Sequence, residues 1–136
     1  HAAFHSPLMK PAADQALTRF GEQSFAVPQL PLVDGRGVIW HRQLAQSAAL
    51  KTYTLNQQVC DTFYFNRAVQ VAVKEFAPEH IILLGPGNGL GSAVAQSLIG
   101  INWQGLASKQ DFSVTQQTAL PYVLSMGLPE QRQLVV

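Results

Sequence analysis

An uninterrupted apolar run in the second half of the chain leads directly into glycines and then into a helix-forming segment. Residues 80–84 read His-Ile-Ile-Leu-Leu, and a glycine-rich stretch follows at 85–91. A run of this kind is typical of a strand buried within a parallel sheet. Residues 92–99 then predict a helix with Val94, Ala95 and Leu98 facing inward. The sequence therefore favours an α/β fold.

The rest of the chain alternates short apolar runs with amphipathic segments, which is the order expected of an open, mostly parallel sheet with flanking helices. Gly21 ends the first helix. After Ile101 to Trp103, a polar stretch runs to Gln117, and the tail at 120–136 is broken by Pro121, Gly127 and Pro129. The predicted elements are a buried strand at 2–4, a helix at 8–20, a strand at 30–33, a turn at 34–37, a possible second hairpin strand at 38–40, and helices at 43–58 and 65–76.

Composition and charge narrow the class of protein. A chain of 136 residues that is 47% hydrophobic has room for one domain. A net charge of +1 without clusters predicts no nucleic-acid or anionic-membrane partner, and no apolar run reaches the roughly 20 residues of a membrane span. The single cysteine, Cys60, cannot form an internal disulfide, which suits a reducing compartment. We expect a cytoplasmic protein.

His5 is the candidate catalytic residue. It lies between an apolar stretch and a helix start, where Ser6 can cap the turn and Pro7 suits the first helical position. An imidazole exchanges protons near neutral pH and can act as a general base. The alternative is a structural histidine beside a Ser-Pro turn.

Residues 2–13, Ala-Ala-Phe-His-Ser-Pro-Leu-Met-Lys-Pro-Ala-Ala, resemble the histidine motif of malonyl-CoA:acyl carrier protein transacylases and related acyltransferase domains. In that family the histidine activates a serine, so the resemblance implies that His5 is the general base. Residues 81–87 resemble the family's strand ending in Gly-Pro-Gly, although Leu83 stands where a glutamate is usual. The resemblance covers residues 1–100, and implies the C-terminal part of the large acyltransferase subdomain, with 101–136 as a poorly matched C-terminal extension.

Two further site residues follow from this resemblance. Residues 58–65 resemble a family segment that starts with a glutamine whose backbone carbonyl orients the histidine; this implies that Gln58 is the orienting residue, with Gln57 as a neighbouring alternative. The plain alternative for Gln58 is a glutamine on a helix surface. Phe4 occupies the position where the family has phenylalanine with malonyl substrates, which implies a substrate-binding role and a malonyl group. The alternative for Phe4 is a core residue.

The serine nucleophile is missing from this sequence. The family uses Gly-x-Ser-x-Gly, and the nearest approach, Val-Leu-Ser-Met-Gly at 123–127, lacks the first glycine. Nothing in the sequence marks Cys60 as an activated nucleophile. In the family the serine lies upstream of the histidine and would here precede His1. We therefore expect the chain to be a piece of a longer protein and to be inactive by itself.

The resemblance implies transfer of malonyl from CoA to the phosphopantetheine thiol of an acyl carrier protein, in fatty-acid or polyketide biosynthesis, without a metal or cofactor. The expected partners are the carrier protein, the CoA thioester and the missing N-terminal acyltransferase segment. The alternative is a non-catalytic, acyltransferase-derived module that binds a carrier protein or a partner subunit. Nucleotide binding at residues 85–91 is disfavoured, because the glycine spacing fits neither the dinucleotide nor the Walker pattern.

Overall fold

A computed structural model describes residues 2–87 and 89–136, and the chain in it is mixed α/β, as predicted. It divides into two compact units, His1–Ala68 and Val69–Val136. The helices are α1 (Lys10–Arg19), α2 (Ser47–Thr52), α3 (Gln58–Cys60), α4 (Phe65–Phe76), α5 (Gly91–Ile99), α6 (Lys109–Gln116) and α7 (Pro129–Arg132). The strands are β1 (Leu32–Val33), β2 (Ile39–Trp40), β3 (Ile81–Leu83) and β4 (Val123–Ser125).

The first unit begins with an exposed turn, and the buried strand predicted at residues 2–4 is wrong. Phe4 is 58% exposed, and the chain turns at Phe4 and His5. No strand among the described residues lies beside this segment to pair with it, and a strand needs such a partner. The predicted position of Pro7 is confirmed, because Pro7–Met9 forms a 3₁₀ turn that leads into α1. The predicted cap is wrong, because the hydroxyl of Ser6 donates to the carbonyl of Ala3 at 2.6 Å and not to the turn.

Residues 30–40 form a hairpin, one of the alternatives that the sequence left open for residues 38–40. The buried strand predicted at 30–33 is only partly right, because β1 covers Leu32–Val33 alone and Leu32 is 44% exposed. Strands β1 and β2 pair antiparallel, with Leu32 opposite Trp40 and Val33 opposite Ile39. The turn between them ends at Gly37, whose φ of 78° lies in the left-handed region that glycine adopts without strain. The hairpin therefore projects the turn residues 34–37 from a short, two-stranded base.

The helix predicted over 43–58 starts later and is irregular. It begins at Ser47 as α2, passes through a π-helical turn at Tyr53–Gln57, and ends as α3 at Cys60. In the π turn, the N–H of Gln58 bonds the carbonyl of Tyr53, five residues earlier rather than four. The helix predicted at 65–76 is confirmed as α4, which includes residues of both units.

The second unit contains a parallel pair of strands, β3 and β4, in which Ile81 pairs with Val123 and Leu83 with Ser125. Of the apolar run at 80–84, Leu83 is buried but Leu84 is 82% exposed, so the prediction of a buried strand is only partly right. The physical reason is that the described sheet has two strands, too few to bury both faces. The larger open sheet remains a prediction.

Helix α5 follows β3 in the chain and packs against α6. Val94, Ala95 and Leu98 are buried, as the sequence predicts. The predicted glycine turn before α5 includes Asn88, which, like His1, lies outside the described residues. Residues 101–136 belong to the same unit as the strand and the helix before them. The boundary predicted at residue 100 marks the extent of the family resemblance and stays a prediction.

The described helices are all short, and none in residues 2–87 or 89–136 combines the length and apolarity needed to cross a membrane.

Leu98 is the most fully buried large side chain in the second unit, with 0% exposure. We expect Leu98→Ala to lower the free energy of unfolding by about 2–5 kcal/mol, because it removes buried contacts and leaves a cavity. Leu84→Ala removes the same atoms from an exposed position and should change the free energy of unfolding by less than about 0.5 kcal/mol. Urea unfolding of both variants measures the difference. Equal losses would contradict this core.

Candidate functional site

His5 is held by two consecutive backbone carbonyls at the end of a helix. Its Nδ1 lies 2.6 Å from the carbonyl oxygen of Gln58, and its backbone N–H donates to the carbonyl of Val59 at 2.8 Å. Because α3 ends at Cys60, these carbonyls have no partner within the helix. The structure thus brings together His5 and Gln58, the two residues that the family resemblance pairs, and His5 caps the helix.

The backbone of His5 is in an unusual conformation. Its φ is 63°, in the left-handed region that few residues other than glycine adopt. This turn lets the N–H and the ring of one residue reach two neighbouring carbonyls. Conformations of this kind cost about 1 kcal/mol or more and persist where the surrounding contacts fix them. Here the two hydrogen bonds to Gln58 and Val59 fix it.

The carbonyl of Gln58 also selects the tautomer of His5. A carbonyl oxygen only accepts hydrogen bonds, so Nδ1 must carry a proton to donate to it. The neutral ring therefore presents Nε2 with a free lone pair. This arrangement is chemically suited to a general base.

Two aromatic rings flank the imidazole. Phe63 lies 5.2 Å from it between ring centroids, and Phe4 lies 6.5 Å away. Phe63 packs so closely on Gly35 that a Cβ at Gly35 would collide with its ring. Phe63 was not predicted as a site residue, because nothing in the sequence links position 63 to position 5. Phe4 is exposed, so the alternative interpretation of Phe4 as a core residue is wrong.

His5 lines an open cavity of about 460 Å³ in the first unit. Gln58 and the predicted alternative Gln57 also line it, as do Arg36 and Phe63. Arg36 brings a guanidinium to this lining. The hairpin turn therefore contributes a charged residue to the histidine's cavity, which sequence reasoning did not predict.

Asp34 anchors the hairpin turn through five hydrogen bonds. Its Oδ1 accepts from the backbone N–H groups of Arg36 at 2.8 Å and Val38 at 3.0 Å. Its Oδ2 accepts from the guanidinium of Arg36 at 2.6 and 3.1 Å and from the Trp40 indole at 3.0 Å. Burial raises the pKa of Asp34, but these hydrogen bonds outweigh it and hold the pKa below its ordinary value.

The same turn contacts both ends of the π turn. The backbone N–H of Gly35 donates to the hydroxyl of Tyr53 at 2.8 Å, and Nη1 of Arg36 donates to Oε1 of Gln57 at 2.8 Å. The guanidinium also lies 4.6 Å from the centre of the Tyr53 ring, within cation-π range. Burial raises the pKa of the Tyr53 hydroxyl, so it stays protonated at neutral pH.

The other nucleophile candidates are not activated. Cys60 is buried and forms no disulfide. Ser125 ends β4, is 5% exposed, and donates from Oγ to the carbonyl of Gly87 at 3.2 Å rather than to a base. It lines a separate cavity of about 480 Å³ in the second unit, which holds none of the predicted site residues. Within the described part of the chain, no cluster of His, Cys, Asp or Glu is arranged to hold a metal ion.

The Asp34 anchor predicts an acid-dependent stability. Because folding lowers the pKa of Asp34 from its ordinary 3.8, its contribution is present above about pH 4 and is lost as the pH falls through the folded value. We expect Asp34→Asn to cost about 1.5–3 kcal/mol at pH 7, since it removes the buried charge that accepts these hydrogen bonds, and to flatten the decline below pH 4. Asp61→Asn, at an exposed carboxylate of the same unit, is the control. Urea unfolding from pH 7 to pH 2.5 measures both, and parallel curves for Asp34→Asn and wild type would contradict the anchor.

Comparisons with known proteins leave the family open. No family model matches this chain, and neither a curated protein nor a solved structure matches it. The acyltransferase family expected from the histidine motif therefore stays a prediction, and what the site can do rests on its own geometry.

Proposed function

We propose that the chain supplies the histidine part of a serine-histidine acyltransferase that moves a malonyl group from CoA to an acyl carrier protein. The observation that carries the proposal is the 2.6 Å contact between His5 Nδ1 and the Gln58 carbonyl. A general base needs an orienting acceptor on one ring nitrogen and a free lone pair on the other, and this contact supplies both. Under this proposal the chain is the C-terminal part of the large acyltransferase subdomain.

The proposed reaction has two half-steps, and the nucleophile is a serine from a preceding segment. In the first, the serine oxygen attacks the malonyl thioester, its proton passes to Nε2 of His5, and the CoA thiol leaves with that proton. In the second, the phosphopantetheine thiol gives its proton to Nε2 and attacks the serine ester. The serine then leaves and regains the proton, so the enzyme ends unchanged. No metal or cofactor takes part.

The position of Phe4 supports a small acyl group. Its ring lies 6.5 Å from the imidazole and is 58% exposed, so it is free to contact a ligand beside His5. A large ring next to the base leaves less room for a branch on the α-carbon of the acyl group, which favours malonyl over methylmalonyl. We place the reaction in the cytoplasm, in fatty-acid or polyketide synthesis.

The test is His5→Ala in a protein that joins this chain to a segment carrying the Gly-x-Ser-x-Gly serine. We expect transfer of malonyl to carrier protein to fall by about 10²–10⁴-fold, the usual contribution of a general base. His80→Ala is the matched control, because the ring of His80 also contacts a backbone carbonyl, that of Pro121 at 3.2 Å, in the other unit. Unchanged turnover in His5→Ala would sink the proposal.

A second expectation concerns this chain alone. Since it holds no activated nucleophile among its described residues, incubation with malonyl-CoA should add no malonyl mass to it. Intact mass spectrometry checks this directly. An adduct of one malonyl group would show that a residue of this chain, with Ser125 and Cys60 as the first to examine, is acylated, and would remove the need for an upstream serine.

A further inference from the structure

The π turn decides which carbonyl faces His5. In it, Gln58 bonds back to Tyr53 over five residues, so the turn holds one residue more than an α-helix would. Closing it to a regular α-helix would shift each later residue by one position, about 100° around the helix axis. A carbonyl other than that of Gln58 would then face Nδ1. The sequence left Gln57 and Gln58 as alternatives, and this turn chooses between them.

A π turn needs outside contacts to persist, because its hydrogen-bond geometry is rarely favoured over the α-helix. Two of these contacts come from the hairpin turn, which binds the first residue of the π turn, Tyr53, and its last, Gln57. Helix α1 also packs against the π turn. Arg36 contributes to both ends, through the cation-π contact with Tyr53 and the hydrogen bond to Gln57. Its guanidinium spans the turn.

Asp34 makes Arg36 rigid enough to act in this way. Two of the five guanidinium N–H groups are fixed on Asp34 Oδ2, and the carboxylate is itself fixed by backbone and indole donors. The arginine side chain is therefore held at its Nε edge, and its Nη1 is directed to Gln57. A surface arginine without such an anchor would lose this direction to side-chain motion.

We propose that Arg36 is a positioning residue for His5, which acts by clamping the π turn so that the Gln58 carbonyl meets Nδ1. Arg36 itself takes no part in proton transfer. The catalytic meaning of this clamp rests on the proposed function, but the clamp is a property of the chain itself and is measurable without turnover.

The experiment measures the tautomer of His5 by long-range ¹H–¹⁵N NMR of the full chain at a pH where the ring is neutral. In the wild type we expect the form with the proton on Nδ1 to predominate. Arg36→Met should lower the ratio of the Nδ1–H to the Nε2–H form by about fivefold, the factor that corresponds to one net hydrogen bond. Arg42→Met, at an exposed arginine after the same hairpin, is the control and should leave the ratio unchanged.

A second variant keeps the test decisive if Arg36→Met fails to fold. Gln57→Ala removes the contact at the end of the π turn and leaves the Asp34–Arg36 pair in place, so it should lower the ratio by a similar factor. The double variant should lower the ratio no further than Arg36→Met alone, because Arg36→Met already removes the hydrogen bond to Gln57. A ratio that stays at the wild-type value in folded Gln57→Ala and in folded Arg36→Met overturns the clamp.

The two proposals fail in different experiments. If the tautomer ratio is unchanged in Arg36→Met and Gln57→Ala while His5→Ala still abolishes transfer, the clamp is wrong and the proposed function stands. If the ratio responds as expected while His5→Ala leaves turnover unchanged, the clamp stands as a structural device and the proposed function is wrong.

Discussion

The structure of the first unit depends on how the free carbonyls at the end of α3 find hydrogen-bond donors. The carbonyls of Gln58 and Val59 come after a π turn, at the end of a helix where no intrahelical donor remains. His5 supplies both missing donors, one from its backbone and one from its ring. The segment that leads into α1 is thereby fastened to residues more than 50 positions later in the chain. The same two bonds fix the backbone conformation of His5, its tautomer and the direction of Nε2.

The carboxylate of Asp34 accepts hydrogen bonds from fixed groups as well as from the guanidinium of Arg36. Three of its five donors are backbone or indole N–H groups, so the carboxylate would stay buried and satisfied even while the guanidinium shifts. Arg36 is the partly exposed member of the pair: its side chain is 40% exposed, and it lines the cavity. A carboxylate that is itself fixed can hold a partly exposed guanidinium so that one of its N–H groups points in a set direction.

The sequence predicts those elements whose pattern of apolar residues or turn residues lies within a single segment. The sequence predicts the apolar stripe of α4, the inward residues of α5 and the turn at 34–37, since periodicity and turn glycines are read within one segment. Strand β4 was missed because three residues among Pro and Gly carry no periodicity, and α6 because its cap, Ser108 bonded to the N–H of Asp111, was not considered. The pairing of His5 with Gln58 came from family resemblance alone, since no sequence period connects them. Arg36 and Phe63 reach the site through tertiary contacts, which a single sequence does not show.

Stability alone does not account for a histidine at position 5. A helix C-terminus is usually capped by glycine, which adopts a positive φ without strain and donates the same backbone N–H. With glycine, the Val59 carbonyl would keep its partner and the carbonyl of Gln58, near an open cavity, could bind water. Histidine at a φ of 63° carries a conformational cost of about 1 kcal/mol, which the additional ring bond offsets by a similar amount. The net structural gain is therefore close to zero. What histidine adds at this position is an oriented Nε2 with a free lone pair, and that is a chemical property.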